Sequence, residues 1–209
     1  MLRVLLADDH AIIRKGLRQL LLEEFPSASI QEAADAGNAI NKIISDEFDI
    51  IICDLSMPGR SGLDVLQFVK QQGLKIPVLI LSIHSEEQYA VRTLRAGASG
   101  YLSKDAATEE LVKAVRRILQ GRKYISASVA EIMVSELDPE TTKQPHELLS
   151  DRELQVFKEL ANGKPVSEIA EQLHLSITTV STYRSRILEK MEMKSNADMT
   201  RYALENKLI

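Results

Sequence analysis

Apolar residues fall into two rhythms along the chain. Through the first 120 residues, short and wholly apolar runs recur at 4–7, 50–53 and 78–81, with weaker versions at 29–34 and 99–102. A run without polar alternation fits a strand covered on both faces. Between the runs, apolar residues are spaced three and four apart: Ile12, Ile13, Leu17, Leu20 and Leu21; Leu63, Leu66 and Val69; Leu111, Val112, Val115, Ile118 and Leu119. That spacing predicts amphipathic helices. Five strands each followed by a helix need right-handed crossovers, which cover a parallel sheet on both sides. The expected fold class is therefore an α/β, flavodoxin-like (βα)5 unit.

After Gly121 the pattern changes, and from Leu148 onward only helix signals remain. Ser150 and Glu153 have the spacing of a capping box, and Leu154, Val156, Phe157, Leu160 and Ala161 then give a helix ended by Asn162 and Gly163. A second helix starts after Lys164 and Pro165, with Val166, Ile169, Ala170 and Leu173 inward. His174 and Leu175 make a turn, and Ser176 caps a third helix reaching about Met191. Two helices joined so tightly are a helix-turn-helix candidate. In the third helix, Ile177, Val180, Ile187, Leu188 and Met191 are expected to form the buried stripe. Thr178, Ser181, Thr182 and Ser185 are left outside, where small hydroxyl residues can approach bases and phosphates. Arg184, Arg186, Lys190 and Lys194 cluster on and after that helix, partly offset by Glu189 and Glu192.

Charge sharpens the division. The 209 residues hold 26 basic and 30 acidic side chains, a net charge of -4, so any phosphate binding must be local. Residues 1–130 carry 16 of each sign and residues 148–209 nine of each. The deficit lies in 131–147, with one basic and five acidic residues. With two proline breakers, Pro139 and Pro145, that stretch reads as an acidic linker, whose first part, 127–137, could be helical. A single cysteine, Cys53, excludes an internal disulfide, and no run of about 18 apolar residues exists. The expectation is a soluble protein of a reducing cytosol.

In an open parallel sheet, ligands bind beyond the carboxyl ends of the strands. The residues there are Asp8 and Asp9, Asp54, Ser82 and Lys104. Three carboxylates on one rim repel one another unless a cation sits among them, and an all-oxygen set suits Mg2+. Taken singly, Asp8 or Asp9 could cap the helix near Ala11 and Asp54 could open a turn; jointly, coincidence is a poor account. His10 and His84 are expected at the pocket edge and not as ligands, and Cys53 in the core.

The segments LLADDH, IIICDLSMPGRSGLDVL, VLILSIH and GASGYLSKD, in this order, resemble the receiver domain of bacterial two-component response regulators over residues 2–122. LSDRELQVFKELANGKPVSEIAEQLHLSITTVSTYRSRILEKMEMKS is similar to the LuxR-type helix-turn-helix of the NarL/FixJ family over residues 148–209. The resemblance implies a receiver at 1–122, a linker at 123–147 and a DNA-binding domain at 148–209. By it, Asp54 is the phosphoacceptor for a sensor histidine kinase, and Asp8, Asp9, Asp54 and the Ser56 carbonyl hold Mg2+. Lys104 faces the phosphate, and Ser82 and Tyr101 form the switch. In the second domain, Ser181, Thr182 and Ser185, with Thr178 beside them, would reach bases. Thr179, Tyr183, Arg184 and Arg186 would serve the phosphates, and Lys190 is a further DNA-binding residue. The implied protein is a cytoplasmic transcription regulator and not an enzyme. It acts as a homodimer on double-stranded promoter DNA, with RNA polymerase a further candidate partner. This chain departs from common family residues at Ser82, Asp105, Ser181, Tyr183 and Ser185. Two rivals stand beside this reading. One is a Mg2+-dependent hydrolase, for which no general acid is evident beside Asp54. The other is a protein-binding adaptor, whose helical domain dimerises without specific DNA recognition or works independently of phosphorylation.

Overall fold

Five short strands, β1 (Arg3–Ala7), β2 (Ser29–Ala33), β3 (Ile50–Asp54), β4 (Val78–Ser82) and β5 (Gly100–Ser103), pair in parallel in the order β2-β1-β3-β4-β5. The computed structural model describes residues 1–83, 86–135, 144–173 and 175–209, which form two units, Met1–Asp138 and Pro139–Ile209. In the first unit every strand after β2 is buried along nearly its whole length, as the unbroken apolar runs require. Side chains alternate across the sheet. Val4, Leu6, Ile50, Ile52, Leu79, Leu81 and Leu102 meet Leu17 and Leu21 of α1 (Ala11–Glu24) and Leu111, Val115 and Ile118 of α5 (Ala107–Leu119). Leu5, Ile51, Cys53, Ile80 and Tyr101 alternate to the other face, where α2 (Ala36–Ser45), α3 (Gly62–Gln71) and α4 (Glu86–Ala96) pack. Each large side chain so buried contributes roughly 1.5–3 kcal/mol. Ile12 and Leu119, expected in the helix stripes, are exposed instead, because α1 and α5 pack on each other and on the sheet through the adjoining rows.

The strand order has one functional consequence. Chain direction reverses its progress across the sheet at β1, which has β2 on one side and β3 on the other, and a crevice opens there beyond the strand ends. Asp8 follows β1 and Asp54 ends β3, with Ala7 in register with Cys53. The first residue of α3 guards this corner. The N–H of Gly62 donates to the Leu55 carbonyl at 3.0 Å. A Cβ at Gly62 would collide with the carbonyl oxygen of Asp54 and lie 3.1 Å from Cys53 Sγ.

The first unit runs past the limit expected at residue 122. Gly100 has no side chain to obstruct Tyr124, whose N–H donates to the Ser99 carbonyl at 2.8 Å and whose hydroxyl donates to Glu110 Oε2 at 2.6 Å. The helix that follows, α6 (Ala127–Ser135), packs on α4. The most acidic part of the expected linker, 136–143, lies outside the described residues.

The second unit contains a short 3-10 helix (Pro145–Leu148), α7 (Asp151–Ala161), α8 (Val166–Gln172), α9 (Ile177–Lys190) and α10 (Asn196–Glu205). Serine oxygens open three of them: Ser150 accepts from the Glu153 N–H at 3.3 Å, Ser176 from Thr179 at 3.0 Å and Ser195 from Asp198 at 3.2 Å. Phe157, Leu160, Ile169, Val180, Ile187 and Met199 fill the core. The turn between α8 and α9 is closed by the Leu175 N–H on the Ala170 carbonyl at 2.8 Å; His174 lies outside the described residues. Ile177 departs from the expected stripe. It is 59% exposed, because it stands at the first turn of α9, beyond the reach of the other helices. Among the described residues no helix is long and apolar enough to cross a membrane.

Glu153 ties the start of α7 to the end of α9. Its side chain, only 3% exposed, accepts from the Ser150 N–H at 2.7 Å and pairs with Lys190 Nζ, at the end of α9, at 2.6 Å. Burial pushes its pKa up, but the Lys190 ammonium and the two Ser150 donors outweigh that and hold it below the ordinary glutamate value.

Two predictions follow from this packing. Gly62→Ala should destabilise the first unit by about 1–3 kcal/mol, since backbone and not a flexible side chain must give way; urea unfolding measures it. For Glu153, a carboxylate depressed in the folded state contributes stability at pH above its unfolded value near 4.3 and loses it as pH falls through the lower folded value. Glu153→Gln should therefore flatten the acid limb of the second unit's thermal stability, while lowering its stability at pH 7.

Candidate functional site

Three chain segments bring charge to the crevice. The Asp8 side chain is turned inward, where its Oδ1 accepts from the His10 N–H at 2.7 Å, so neither Asp8 nor Asp9 caps α1. Asp54 stands at the end of the fully buried β3, its Oδ1 accepting from the Ser56 N–H at 3.2 Å. It therefore also opens the turn that its sequence suggested. Lys104 follows β5, with its own N–H on the Ser82 carbonyl at 2.7 Å. Its ammonium lies 2.7 Å from Asp8 Oδ2 and 2.7 Å from Asp54 Oδ2.

Both carboxylates are 2% exposed at the side chain, and the arrangement is electrostatically unbalanced. Burial pushes the Asp54 carboxyl up to about 6, helped by the Asp8 charge and opposed by Lys104 and the Ser56 N–H. Burial pulls Lys104 down, but its two carboxylate partners hold it above the ordinary lysine value. Beside it, burial pushes the Cys53 thiol well up, so this cysteine is inert core.

Asp8, Asp9, His10 and Asp54 each offer a ligand atom, all within 4.8 Å of one another. Two lie deep, Asp9 is half-buried, and one ammonium cannot neutralise three carboxylates. The donor set fits a hard divalent cation. The His10 ring, 57% exposed, stands at the rim, with Nδ1 at 2.8 Å from Asp9 Oδ1. His84 lies outside the described residues. Ser82 and Tyr101 are both fully buried, Ser82 at the end of β4 and Tyr101 on the neighbouring β5 in register with Ile80.

In the second unit, α9 presents Thr178, Ser181, Thr182, Ser185 and Arg186 to solvent. Thr182 Oγ1 donates to the Thr178 carbonyl at 2.9 Å and Ser185 Oγ to the Ser181 carbonyl at 3.1 Å, so these hydroxyls are turned onto their own helix. Thr179 Oγ1 lies 2.7 Å from the Ser176 cap. Arg184 Nε donates to Asn196 Oδ1 at 2.8 Å, which steers the guanidinium from α10. Tyr183 is half-buried, and Lys190 is engaged by Glu153. Sequence reasoning missed Gly62, Asn196 and the Glu153–Lys190 pair. Only Gly62 left a signal, as a helix-disfavoured residue at the first position of a clear helix.

The comparisons agree with this division. The family described as response regulator receiver domain matches residues 4–116, and the family described as bacterial regulatory proteins, luxR family, matches residues 147–203. The response regulator UvrY of Escherichia coli K12 is 35% identical over 209 residues, covering 100% of this chain and 96% of UvrY. The oxygen regulatory protein NreC of Staphylococcus haemolyticus is 34% identical over 215 residues, covering 100% of this chain and 99% of NreC. Among solved structures, RcsB from Salmonella enterica serovar Typhimurium, bound to promoter P1flhDC in the presence of phosphomimetic BeF3-, is 26% identical. It aligns with a TM-score of 0.59 over 96% of this chain and 97% of that one. A buried, lysine-bridged acid pocket at the switch point of a parallel sheet, a helix-turn-helix behind it in sequence, and two family matches in that order make the chain a two-component response regulator of the NarL/FixJ family, a transcription regulator and not an enzyme.

Proposed function

We propose that this regulator is switched by phosphorylation of Asp54 and that the switch controls dimerisation and sequence-specific binding to double-stranded promoter DNA. The observation that carries the reading is the Lys104 ammonium at 2.7 Å from both Asp8 and Asp54 at the sheet's crevice. The donor is a phosphohistidine of a sensor histidine kinase. An Asp54 carboxylate oxygen attacks phosphorus, the P–O bond forms as the P–N bond breaks, and the imidazole departs with its electron pair. Water later hydrolyses the acyl phosphate. Asp8, Asp9, Asp54 and the Ser56 carbonyl would hold Mg2+, which supplies positive charge to the phosphoryl oxygens.

The residues of the chain do the rest. Lys104 neutralises phosphoryl charge from the β5 side. The added charge of about -1.5 to -2 draws the Ser82 hydroxyl toward the phosphoryl group, and Tyr101, one strand away and already inside the fold, sets the β4–α4 surface accordingly. Phosphoryl capture belongs to residues 1–122, DNA binding to 148–209, and 123–147 join them. Thr178, Ser181, Thr182 and Ser185 approach bases; Thr179, Tyr183, Arg184 and Arg186 serve phosphates; Lys190, paired with Glu153, acts by fixing the end of α9. The place of action is the cytoplasm, with RNA polymerase as a downstream partner.

Intact mass after incubation with a small acyl-phosphate donor tests the first step. One phosphoryl group should be added with Mg2+, none after chelation, and none to Asp54→Asn. An adduct on Asp54→Asn would refute the assignment. For the second step, Arg184→Ala should weaken binding to a promoter fragment and reduce the slope of log affinity against log salt by about one. Salt-independent binding, unchanged by the substitution, would favour the adaptor reading instead.

A further inference from the structure

Ile177 is 59% exposed at the opening of α9; Leu148 and Leu204 of the same unit are comparably exposed, but neither stands on α9. Among the described residues it is the one large hydrophobic side chain of α9 exposed to this degree. Its position is defined by the cap beneath it. Ser176 accepts from the Thr179 N–H at 3.0 Å and fixes Ile177 as the first helical residue. From there a row of side chains runs along the helix at four- and three-residue steps through Ser181 and Arg184. Ser181 is exposed, and Arg184 is steered by Asn196. Ile177 therefore heads the row that faces DNA in the proposed function, at the end of a recognition helix that reaches furthest into the major groove.

The chemistry around it narrows what it can read. Thr182 and Ser185 have hydroxyls turned onto backbone carbonyls, and the exposed face of α9 carries no side-chain amide. Bidentate amide contacts to adenine are thus unavailable from this helix. An aliphatic group with two methyl ends has one specific partner on the floor of the major groove, the C5 methyl group of thymine. Contact there would remove from water the apolar surface that the fold leaves exposed.

We propose that Ile177 is a specificity-determining residue of the DNA interface, its side chain packing on the C5 methyl of a thymine in each half-site. This rests on the DNA-binding reading above. The test uses the full chain in Mg2+ and beryllofluoride, with duplexes enriched by the wild-type protein from a randomised pool. Each thymine of an enriched duplex is replaced in turn by deoxyuridine, which deletes only the methyl group. Wild-type affinity should fall about fourfold at one thymine per half-site, the effect of one buried methyl-sized group. Ile177→Ala should bind more weakly and be insensitive to that replacement, while Ile177→Val keeps most of the sensitivity. Because the residue is exposed, all three proteins should melt at the same temperature. Equal losses in wild type and Ile177→Ala at every thymine would overturn the proposal and leave DNA binding standing. A pool from which no duplex is enriched would bring down the DNA-binding reading, and this inference with it.

Discussion

One lysine between two buried carboxylates sets the terms for the first unit. Lys104 can reach Asp8 and Asp54 together only if β1, β3 and β5 end at the same level of one parallel sheet, with β4 as spacer. That level is fixed by pairing: Ala7 with Cys53, Asp54 with Leu81, Ser82 with Ser103. Taking charges out of water costs several kcal/mol per ion, and the cost is recovered only where the partners are close and well aligned. Here it is recovered incompletely. One ammonium faces two buried acids, with Asp9 beside them, and the Asp54 carboxyl is left near 6. The deficit is the pocket's chemical property. It makes the site receptive to further positive charge.

Rigidity around the pocket comes from close approach. Gly62 brings the start of α3 against the Asp54 carbonyl, and Gly100 lets Tyr124 close over the far end of β5. The second contact draws the chain beyond α5 back onto the sheet and leads into α6, which packs on α4. Helix α4 follows β4, which ends at the buried Ser82, so α6 packs on the helix that comes next in the chain after that hydroxyl.

Much of this was legible in the sequence, for identifiable reasons. Unbroken apolar runs located the core strands to within a residue, because a strand buried on both faces carries polar side chains only at its end, as β3 does at Asp54 and β4 at Ser82. Asp8, Asp9, Asp54, Ser82 and Lys104 were legible because parallel strands bring their carboxyl ends together. Periodicity was less informative where a helix outruns its neighbours. It gives the direction of Ile12 and Ile177 around their helices, but not whether another element covers them, and both are exposed. Pairings across the fold left no local trace. Glu153 reads as half of a capping box, yet it also holds Lys190, 37 residues away. The contact of His10 with Asp9 likewise depends on how the chain leaves β1, which residue type alone does not specify.

On the proposed reading, the charge balance of the helical unit gives a reason for control by association. With nine basic and nine acidic residues over 148–209, it has no excess positive charge to hold DNA at long range, so on the proposed reading its counterion release comes from a few local contacts. Two of its basic side chains on α9, Arg184 and Lys190, are held by Asn196 and Glu153, which improves placement more than attraction. A single copy is therefore expected to bind weakly and to discriminate through short-range contacts. Joining two copies converts the second binding event into an intramolecular one and multiplies affinity without a new contact. On the proposed reading, a charge added at Asp54 need only shift the dimer population by a few kcal/mol to move occupancy of a site across its useful range. A strongly basic domain would remain on DNA as a monomer and blunt that response, so the neutrality of this unit suits the proposed control by phosphorylation.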